Sequence, residues 1–277
     1  MPATEKTERK NLSLYFNGVE TVAQRNLLIQ AGARMFYTDP VGLRLFIEPL
    51  VRSNVRLALD SGAVRKDFEL LKEKRWLQYQ LYHRLSPGAL FDAEWYTNQV
   101  QIFRAMGFEF DFVSSAECVH EPRVTLDHWI MYGGPDSGMA PMWLYGTHED
   151  DLLFYLDESE IVIIGDLAGH TRNRDERALT HLANLCTRYP GRFHLHSLEW
   201  IKAITTLAPL IRSFDTNKWR DGAKKGTQMV LFENNRLYGM PANEMRFIGE
   251  RPDAEARTVM CCQALLDFEK SVVAALN

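Results

Sequence analysis

The chain has 277 residues, 46% of them apolar and 25% charged, and its 32 basic and 36 acidic side chains give a net charge of −4. This composition is typical of a soluble globular protein with a large core. The acidic balance excludes a basic footprint over the whole surface, so any contact with a polyanion must come from a local patch. No apolar run approaches the ~20 residues that cross a bilayer, so no membrane association is expected.

The N-terminal segment and the cysteines bear on the compartment. Residues 1–11, MPATEKTERKN, are charged and lack an apolar stretch, so we expect a flexible tail and not a signal peptide. The four cysteines show neither a Cys-x-x-Cys pair nor a Cys/His spacing typical of zinc: Cys118, Cys186, Cys261 and Cys262. We therefore expect free thiols in a reducing cytoplasm, that of the host if a phage encodes the chain.

Short apolar runs alternate with amphipathic segments along the chain. Strands are predicted at residues 12–16, 33–37, 55–59, 108–114, 141–145, 161–164, 192–196 and 210–214. Helical spacing of apolar residues occurs at 40–53, 89–107, 148–158 and 176–189, and a further strand (228–232) and a closing helix (252–276) follow. This α/β alternation predicts parallel strands and a single-domain (β/α)₈ TIM-like barrel over residues 12–277. A doubly wound open sheet is the alternative, but no Gly-rich fingerprint follows the first strand.

Polar or glycine residues follow most of the predicted strands, at the end where barrel enzymes carry their sites. In chain order they are Asp60, Glu117, Tyr145 with Gly146, Gly165 with Asp166, His194 with His196, and Asp215. Because loops are polar in general, this pattern indicates where a site lies more than what it does.

Two of these residues, Asp60 and Asp215, are carboxylates expected to face each other across the barrel mouth. Paired carboxylates suit displacement at an anomeric carbon, where one attacks or stabilises and the other moves protons. The structural alternative is that each caps the following turn, because Asp-Ser-Gly and Asp-Thr-Asn are good capping sequences.

Several local sequences resemble the tRNA-guanine transglycosylase superfamily, in family order between residues 55 and 226. LALDSGAVRKDF resembles its Asp-Ser-Gly motif, and DFVSSAECVHEPRVTL its base-recognition stretch. PMWLYGTHEDDL and IVIIGDLAGH resemble its glycine-bearing turns, and RFHLHSLEW fits its next strand. SFDTNKWRDGAKKG is similar to the nucleophile segment of the DNA-guanine transglycosylases in phage and bacterial 7-deazaguanine systems.

The resemblance implies base exchange in a polynucleotide without a cofactor. Asp215 would attack the anomeric carbon of a flipped-out guanosine, expel guanine and hold the sugar until a free 7-deazaguanine base displaces the enzyme. Asp60 would act as general acid and base. The base pocket would comprise Glu117, Ser61, Gly62, Tyr145, Gly146, Gly165, Asp166 and His196.

The chain departs from the family pattern at several positions. Val64 and Arg65 stand where an aromatic residue is usual, Glu117 is one methylene longer than the usual aspartate, and Asp166 replaces a glycine. The zinc-binding Cys/Cys/Cys/His module of the tRNA enzymes is missing, which favours DNA over tRNA as the partner. A tRNA enzyme, a non-catalytic nucleic-acid-binding subunit and a barrel glycosidase or aldolase stay open as alternatives. So does association as a homodimer or with a partner subunit.

A basic segment follows Asp215 directly. Its residues are predicted to contact nucleic acid: Lys218, Trp219, Arg220, Lys224 and Lys225. A solvated charged face is the alternative for the cations, and core packing is the alternative for Trp219 and Trp200. His194 and His196 alternate on one strand, but no third ligand of clear spacing accompanies them, so no metal site is predicted.

Overall fold

A computed structural model describes most of the chain: residues 12–63, 91–118, 121–167, 170, 173–222, 228–241, 244 and 252–277. The predicted tail at 1–11 and two residues of the predicted basic patch, Lys224 and Lys225, lie outside these ranges.

Nine parallel strands form one sheet, in the order β5-β4-β3-β2-β1-β9-β8-β7-β6. They are β1 (Ser13–Phe16), β2 (Met35–Thr38), β3 (Arg56–Leu59), β4 (Phe110–Ser114), β5 (Met139–Ala140), β6 (Met142–Leu144), β7 (Val162–Gly165), β8 (Phe193–Leu195) and β9 (Ser213–Thr216). The two ends of this order, β5 and β6, are separated only by Pro141. The sheet is therefore nearly closed and barrel-like, consistent with a TIM-like barrel.

Eight α-helices occur in the described ranges. They are α1 (Val22–Gln30), α2 (Pro49–Arg52), α3 (Ala93–Ala105), α4 (Pro122–His128), α5 (Glu149–Glu158), α6 (Glu176–Arg188), α7 (Ile201–Leu207) and α8 (Ala254–Leu276). Several begin at the side-chain caps that favour a helix start: Thr21, Asp92, Asp175 and Asp253 each accept a hydrogen bond from a backbone N–H of the first turn.

Three local predictions need correction. Residues 40–53 form a 3₁₀ turn (Gly42–Phe46) and the short α2 instead of one helix, because Pro49 has no N–H for a continuous ladder. The predicted strand 141–145 is shortened to β6, and β5 precedes it, because Pro141 between them has no N–H to continue the ladder. The predicted extra strand is one half of an antiparallel hairpin, β10 (Gln228–Glu233) and β11 (Arg236–Pro241).

Two apolar layers position the site. The layer inside the sheet is largely aromatic and aliphatic: Tyr15, Tyr37, Ala58, Phe112, Ala140, Met142, Leu144, Ile161 and Ile163. A larger layer packs the outer face of the strands against the helices. Helix α8 adds to this layer by packing on β10, β1 and α1.

All four cysteines belong to the described ranges, are buried, and form no disulfide. None of the helices that the structure describes combines the length and the apolar character needed to cross a membrane.

A half-buried carboxyl, Glu269, fixes α8 to the first strand. Its Oε1 accepts a 2.7 Å hydrogen bond from the backbone N–H of Leu14. Burial raises the pKa of Glu269 to about 7, against the opposing effects of the Leu14 N–H and of Arg56 and Lys270. Since the folded protein holds this proton more tightly than the unfolded chain, Glu269 makes the free energy of unfolding fall as pH rises from its ordinary pKa to about 7.

We expect Glu269→Gln to stabilise the protein above pH 7 by about 1–3 kcal/mol, because the amide oxygen keeps the bond to Leu14 without a partly desolvated charge. At pH 5 the two proteins should have nearly equal stability. Urea unfolding at both pH values measures this, with the exposed Glu255→Gln on the same helix as control. Equal stability of wild type and Glu269→Gln at pH 8 would contradict the assignment.

Candidate active site

A cleft of about 400 Å³ opens where several parallel strands end. Its lining comes from the residues that end or follow β1, β2, β3, β8 and β9: Asn17, Gly18, Val19, Tyr37, Thr38, Asp39, Asp60, His196, Ser197 and Asn217. The carboxyl ends of parallel strands meet at one rim, which brings residues distant in sequence into one site. Two of the predicted site residues, Asp60 and His196, line this cleft.

Asp60 is the predicted carboxylate that faces the cleft. Its backbone N–H donates to the Thr38 carbonyl at 2.8 Å, and its Oδ1 accepts long, 3.4 Å contacts from the Tyr37 and Ser114 hydroxyls. Burial raises the pKa of Asp60, His196 opposes this, and Asp39 and Asp215 raise the pKa further. A carboxyl with a raised pKa keeps its proton at higher pH, as a general acid requires.

Asp215 lies inside β9 and not after it, which corrects its predicted place at the rim. Its Cα pairs with that of Tyr15 in β1, and its side chain is fully buried. Oδ1 accepts 3.0 Å hydrogen bonds from His194 Nε2 and from the backbone N–H of Ser197. Oδ2 accepts a hydrogen bond from the side-chain amide of Asn17. Because Asn17 and Ser197 line the cleft, Asp215 is separated from it by these two residues.

Several carboxyls affect the pKa of His196. Burial favours its neutral form, but the charges of Asp215, Asp60 and Glu117 outweigh this and raise its pKa to about 9. The imidazole is therefore protonated at neutral pH. Its ring packs at 5.4 Å, edge to face, on Tyr37.

Glu117 is buried close to the cleft but does not line it. Burial raises the pKa of its carboxyl to about 7, with His196 opposing and Asp60, Asp166 and Asp215 adding to the rise. A side chain at Gly165 would meet Met142 Sδ at 2.7 Å and Glu117 Oε2 at 3.2 Å, so only glycine leaves this space open. Asp166 adopts a left-handed backbone with φ 56°, a strained conformation often found at functional sites.

Ser61 and Gly62 shape the turn after β3. The Ser61 N–H donates to Ser114 Oγ at 3.0 Å, and Ser61 Oγ accepts from the Ala63 N–H at 3.1 Å. Gly62 has φ +67°, and a Cβ there would come within 3.0 Å of the Asp39 side chain. Both residues therefore hold the Asp60 loop in place, and neither lines the cleft.

Tyr145 and Gly146 do not line the cleft either. The Tyr145 hydroxyl lies 3.0 Å from His181 Nδ1, and His181 Nε2 lies 3.3 Å from Glu149 Oε1. These contacts join the end of β6 to helices α5 and α6. These contacts explain the position of the Tyr145 side chain without a bound ligand.

The described part of the predicted nucleic-acid patch contains two cations and a buried indole. Trp219 is 1% exposed, and its Nε1 donates to the Asn17 carbonyl at 2.8 Å. Its predicted role in base stacking is therefore wrong for this structure: the ring belongs to the core. Arg220 pairs with Glu20 at 3.1 Å at the rim, and Lys218 is half-buried beside it.

We expect Trp219→Ala to lower the free energy of unfolding by about 3–5 kcal/mol, because it removes a large buried ring. The half-buried Trp200→Ala should cost less. Chemical denaturation of the two variants side by side measures the difference. Unchanged stability together with weaker polynucleotide binding by Trp219→Ala would restore the stacking hypothesis.

Sequence reasoning missed much of the cleft wall, including Asn17, Thr38, Asp39, Ser197 and Asn217. A signal existed for Asn17, which directly follows a predicted strand as Asp60 does, and for Asp39, which comes two residues after one. Two carboxyls, Asp39 and Asp60, and a protonated imidazole line the cleft, Asp60 has a raised pKa, and the enclosed Asp215 lies behind them. This arrangement can move protons and stabilise a cationic centre.

Among the residues that the structure describes, no group of three or more His, Cys, Asp or Glu side chains could hold a metal ion. Comparison with models of known protein families and with curated protein sequences finds no significant match to the chain.

Proposed function

We propose that the protein is a base-exchange transglycosylase that replaces guanine in DNA with a 7-deazaguanine base. The observation that carries the proposal is the pair of carboxyls at one cleft. Asp60 faces the ligand space with a raised pKa, and Asp215 lies behind the side chain of Asn17. The sequence resemblance assigns the same two residues to this chemistry.

The proposed reaction has two displacements at the anomeric carbon. First an oxygen of Asp215 bonds to C1′ while the bond from C1′ to guanine N9 breaks, and the protonated Asp60 supplies a proton to the departing base. The resulting Asp60 carboxylate then takes a proton from the incoming base, whose nitrogen bonds to C1′ and releases Asp215. After both steps guanine is free, the new base is bonded to C1′, and Asp60 and Asp215 are back in their starting protonation states.

Electrostatics support a sugar or base, and not a phosphate, in the cleft. Asp39 and Asp60 line it, and Asp215 and Glu117 lie close enough to affect the pKa of His196 or Asp60. Phosphates would be held at the rim, where Arg220 and Lys218 lie. A base within a duplex cannot reach such a cleft, so we propose a flipped or single-stranded nucleotide.

We also propose that β5 and β6 count as one strand interrupted at Pro141, which makes the sheet an eight-stranded (β/α)₈ barrel. The Pro141 carbonyl accepts a 2.9 Å hydrogen bond from Ile163, and the Ala140 carbonyl accepts one from Ser115. The two halves of this strand thus bond to opposite neighbours, as a closing strand does.

A second candidate function, a non-catalytic nucleic-acid-binding subunit, is favoured by one observation. Asp215 is fully buried, and Asn17, His194 and Ser197 occupy its two oxygens. A carboxylate so enclosed cannot attack until Asn17 moves. The tRNA-specific enzyme stays the alternative among transglycosylases.

Exchange of radiolabelled guanine tests the proposal. Single-stranded DNA, duplex DNA and tRNA, each carrying labelled guanine, are incubated with the protein and a free 7-deazaguanine. We expect label to leave DNA, with a denaturation-stable protein–DNA adduct, and tRNA to keep its label. Release from tRNA alone would select the tRNA enzyme, and binding without release would select the subunit.

A further inference from the structure

Behind the cleft, a serine and a histidine form a hydrogen-bonded chain that ends on Asp215. Ser213 Oγ lies 2.9 Å from His194 Nδ1, and His194 Nε2 lies 3.0 Å from Asp215 Oδ1. Ser213 is 2% exposed, and the side chains of His194 and Asp215 are fully buried. No ligand in the cleft can reach Ser213, so this chain is not a serine nucleophile with its base.

The chain has one consistent set of proton positions. The carboxylate form of Asp215, which the proposed attack on the sugar requires, only accepts hydrogen bonds, so in that form the Nε2 of His194 carries the proton that it donates to Asp215. Burial lowers the pKa of His194, against the raising effect of Asp215, and the ring is therefore neutral. Nδ1 of a neutral ring with a protonated Nε2 is an acceptor, so the Ser213 hydroxyl donates to it.

Aromatic packing holds the imidazole in this orientation. Its ring centroid lies 4.6 Å from that of Phe112, 5.2 Å from that of Tyr37 and 5.9 Å from that of Tyr15. A ring enclosed in this way cannot turn without displacing the barrel interior. The Nε2–H therefore keeps a fixed direction toward Oδ1 of Asp215.

The two oxygens of Asp215 consequently differ. Oδ1 is held by the buried ring and by a backbone N–H of Ser197. Oδ2 is held by the side-chain amide of Asn17, a cleft residue that can rotate away. We propose that Ser213 and His194 are positioning residues that lock Oδ1 of Asp215 and leave Oδ2 as the oxygen that bonds to the anomeric carbon. This inference rests on the proposed function.

Removal of the Ser213 hydroxyl tests the proposal. Without this donor, Nδ1 of His194 is a buried acceptor that has lost its partner, and the Nε2–H becomes a weaker donor to Oδ1, because hydrogen bonds in a chain polarise one another. We expect Ser213→Ala to slow single-turnover adduct formation by about 10- to 100-fold while the Kd for single-stranded DNA changes by less than about threefold. Ser213→Thr, which restores the hydroxyl, should recover most of the rate. Ser159→Ala, whose hydroxyl bonds to the Ile161 carbonyl away from the site, is the control.

The tautomer itself gives a readout that does not depend on activity. Nitrogen-15 NMR of histidine-labelled protein, with His194→Gln for assignment, should show a neutral ring protonated at Nε2 in both proteins, with the Nδ1 resonance of Ser213→Ala shifted to that of a nitrogen that accepts no hydrogen bond. A wild-type ring protonated at Nδ1 would overturn the proposal.

The kinetic outcomes separate this inference from the proposed function. A Ser213→Ala rate within about threefold of wild type overturns the inference alone. Equal slowing by Ser213→Ala and Ser213→Thr, in folded proteins, points to packing and overturns it too. If the wild type forms no adduct, the proposed function fails and this inference fails with it.

Discussion

Asp215→Asn should form no covalent adduct with DNA, and its guanine exchange should fall by on the order of 10⁴-fold or more. Under the proposed function the Asp215 carboxylate makes the bond to the sugar, and a neutral amide oxygen is a much weaker nucleophile. Exchange of labelled guanine and adduct formation on a denaturing gel measure the two effects.

Asparagine suits this experiment because the surroundings of Asp215 can accommodate it. Its Oδ1 can still accept from His194 Nε2–H and from the Ser197 N–H, which hold Oδ1 in the wild type. The new NH₂ group would face Asn17, whose amide can turn and offer its oxygen instead. A loss of activity would then reflect lost chemistry and not lost folding, and near-native thermal unfolding should accompany it.

The exposed Asp157→Asn on helix α5 provides the matched control and should exchange guanine like the wild type. The informative contrary result is an adduct in Asp215→Asn that is absent in Asp60→Asn. The two carboxyls would then have exchanged roles, with Asp60, which already lines the cleft, as the nucleophile. Adducts in neither variant nor wild type would contradict the transglycosylase proposal and favour the non-catalytic subunit.

The α/β class and the parallel, barrel-like sheet could be predicted from the sequence. Each of the eight predicted barrel strands overlaps an observed strand. Short β-rich apolar runs between amphipathic segments are typical of buried parallel strands. The sequence also predicts that Asp60 and His196 lie in one site, because the carboxyl ends of parallel strands meet at one rim.

Strand register and long-range contacts could not be predicted from the sequence. The enclosure of Asp215 depends on its pairing with Tyr15 and on a hydrogen bond from Asn17, 198 positions away in the chain. Trp219 looked like part of a basic surface because cations flank it. The ring packs in the core and bonds to the Asn17 carbonyl, 202 positions away, and no local pattern encodes such contacts.

The β10–β11 hairpin is a different case, because a local signal was present. Asn234 and Asn235 separate the two strands and both have left-handed backbones, with φ of 50° and 59°. Asparagine is among the residues that tolerate this conformation, and two-residue turns of this kind are typical of hairpins. The second strand could therefore have been predicted from the turn.

Asp60→Asn should lower guanine exchange by about 10²- to 10⁴-fold, because the departing guanine loses its proton donor. The wild-type first step should also depend on pH in a defined direction. Burial raises the pKa of Asp60, with Asp39 and Asp215 adding to the rise and with His196 and the Gly62 N–H opposing it. The acid form therefore persists to higher pH than in an ordinary aspartate, and single-turnover adduct formation should slow as pH rises through this raised pKa.

A leaving group that needs no proton distinguishes an acid from a merely structural residue. 7-Methylguanine in DNA already carries a positive charge and departs as a neutral base, so general acid catalysis has nothing to add. On this substrate Asp60→Asn should form the adduct at nearly the wild-type rate, and the slowing at high pH should disappear, whereas Asp215→Asn should stay inactive. Equal losses by Asp60→Asn on guanine and on 7-methylguanine would mean that Asp60 holds the cleft in shape, through its contacts to Tyr37 and Ser114, and does not donate the proton.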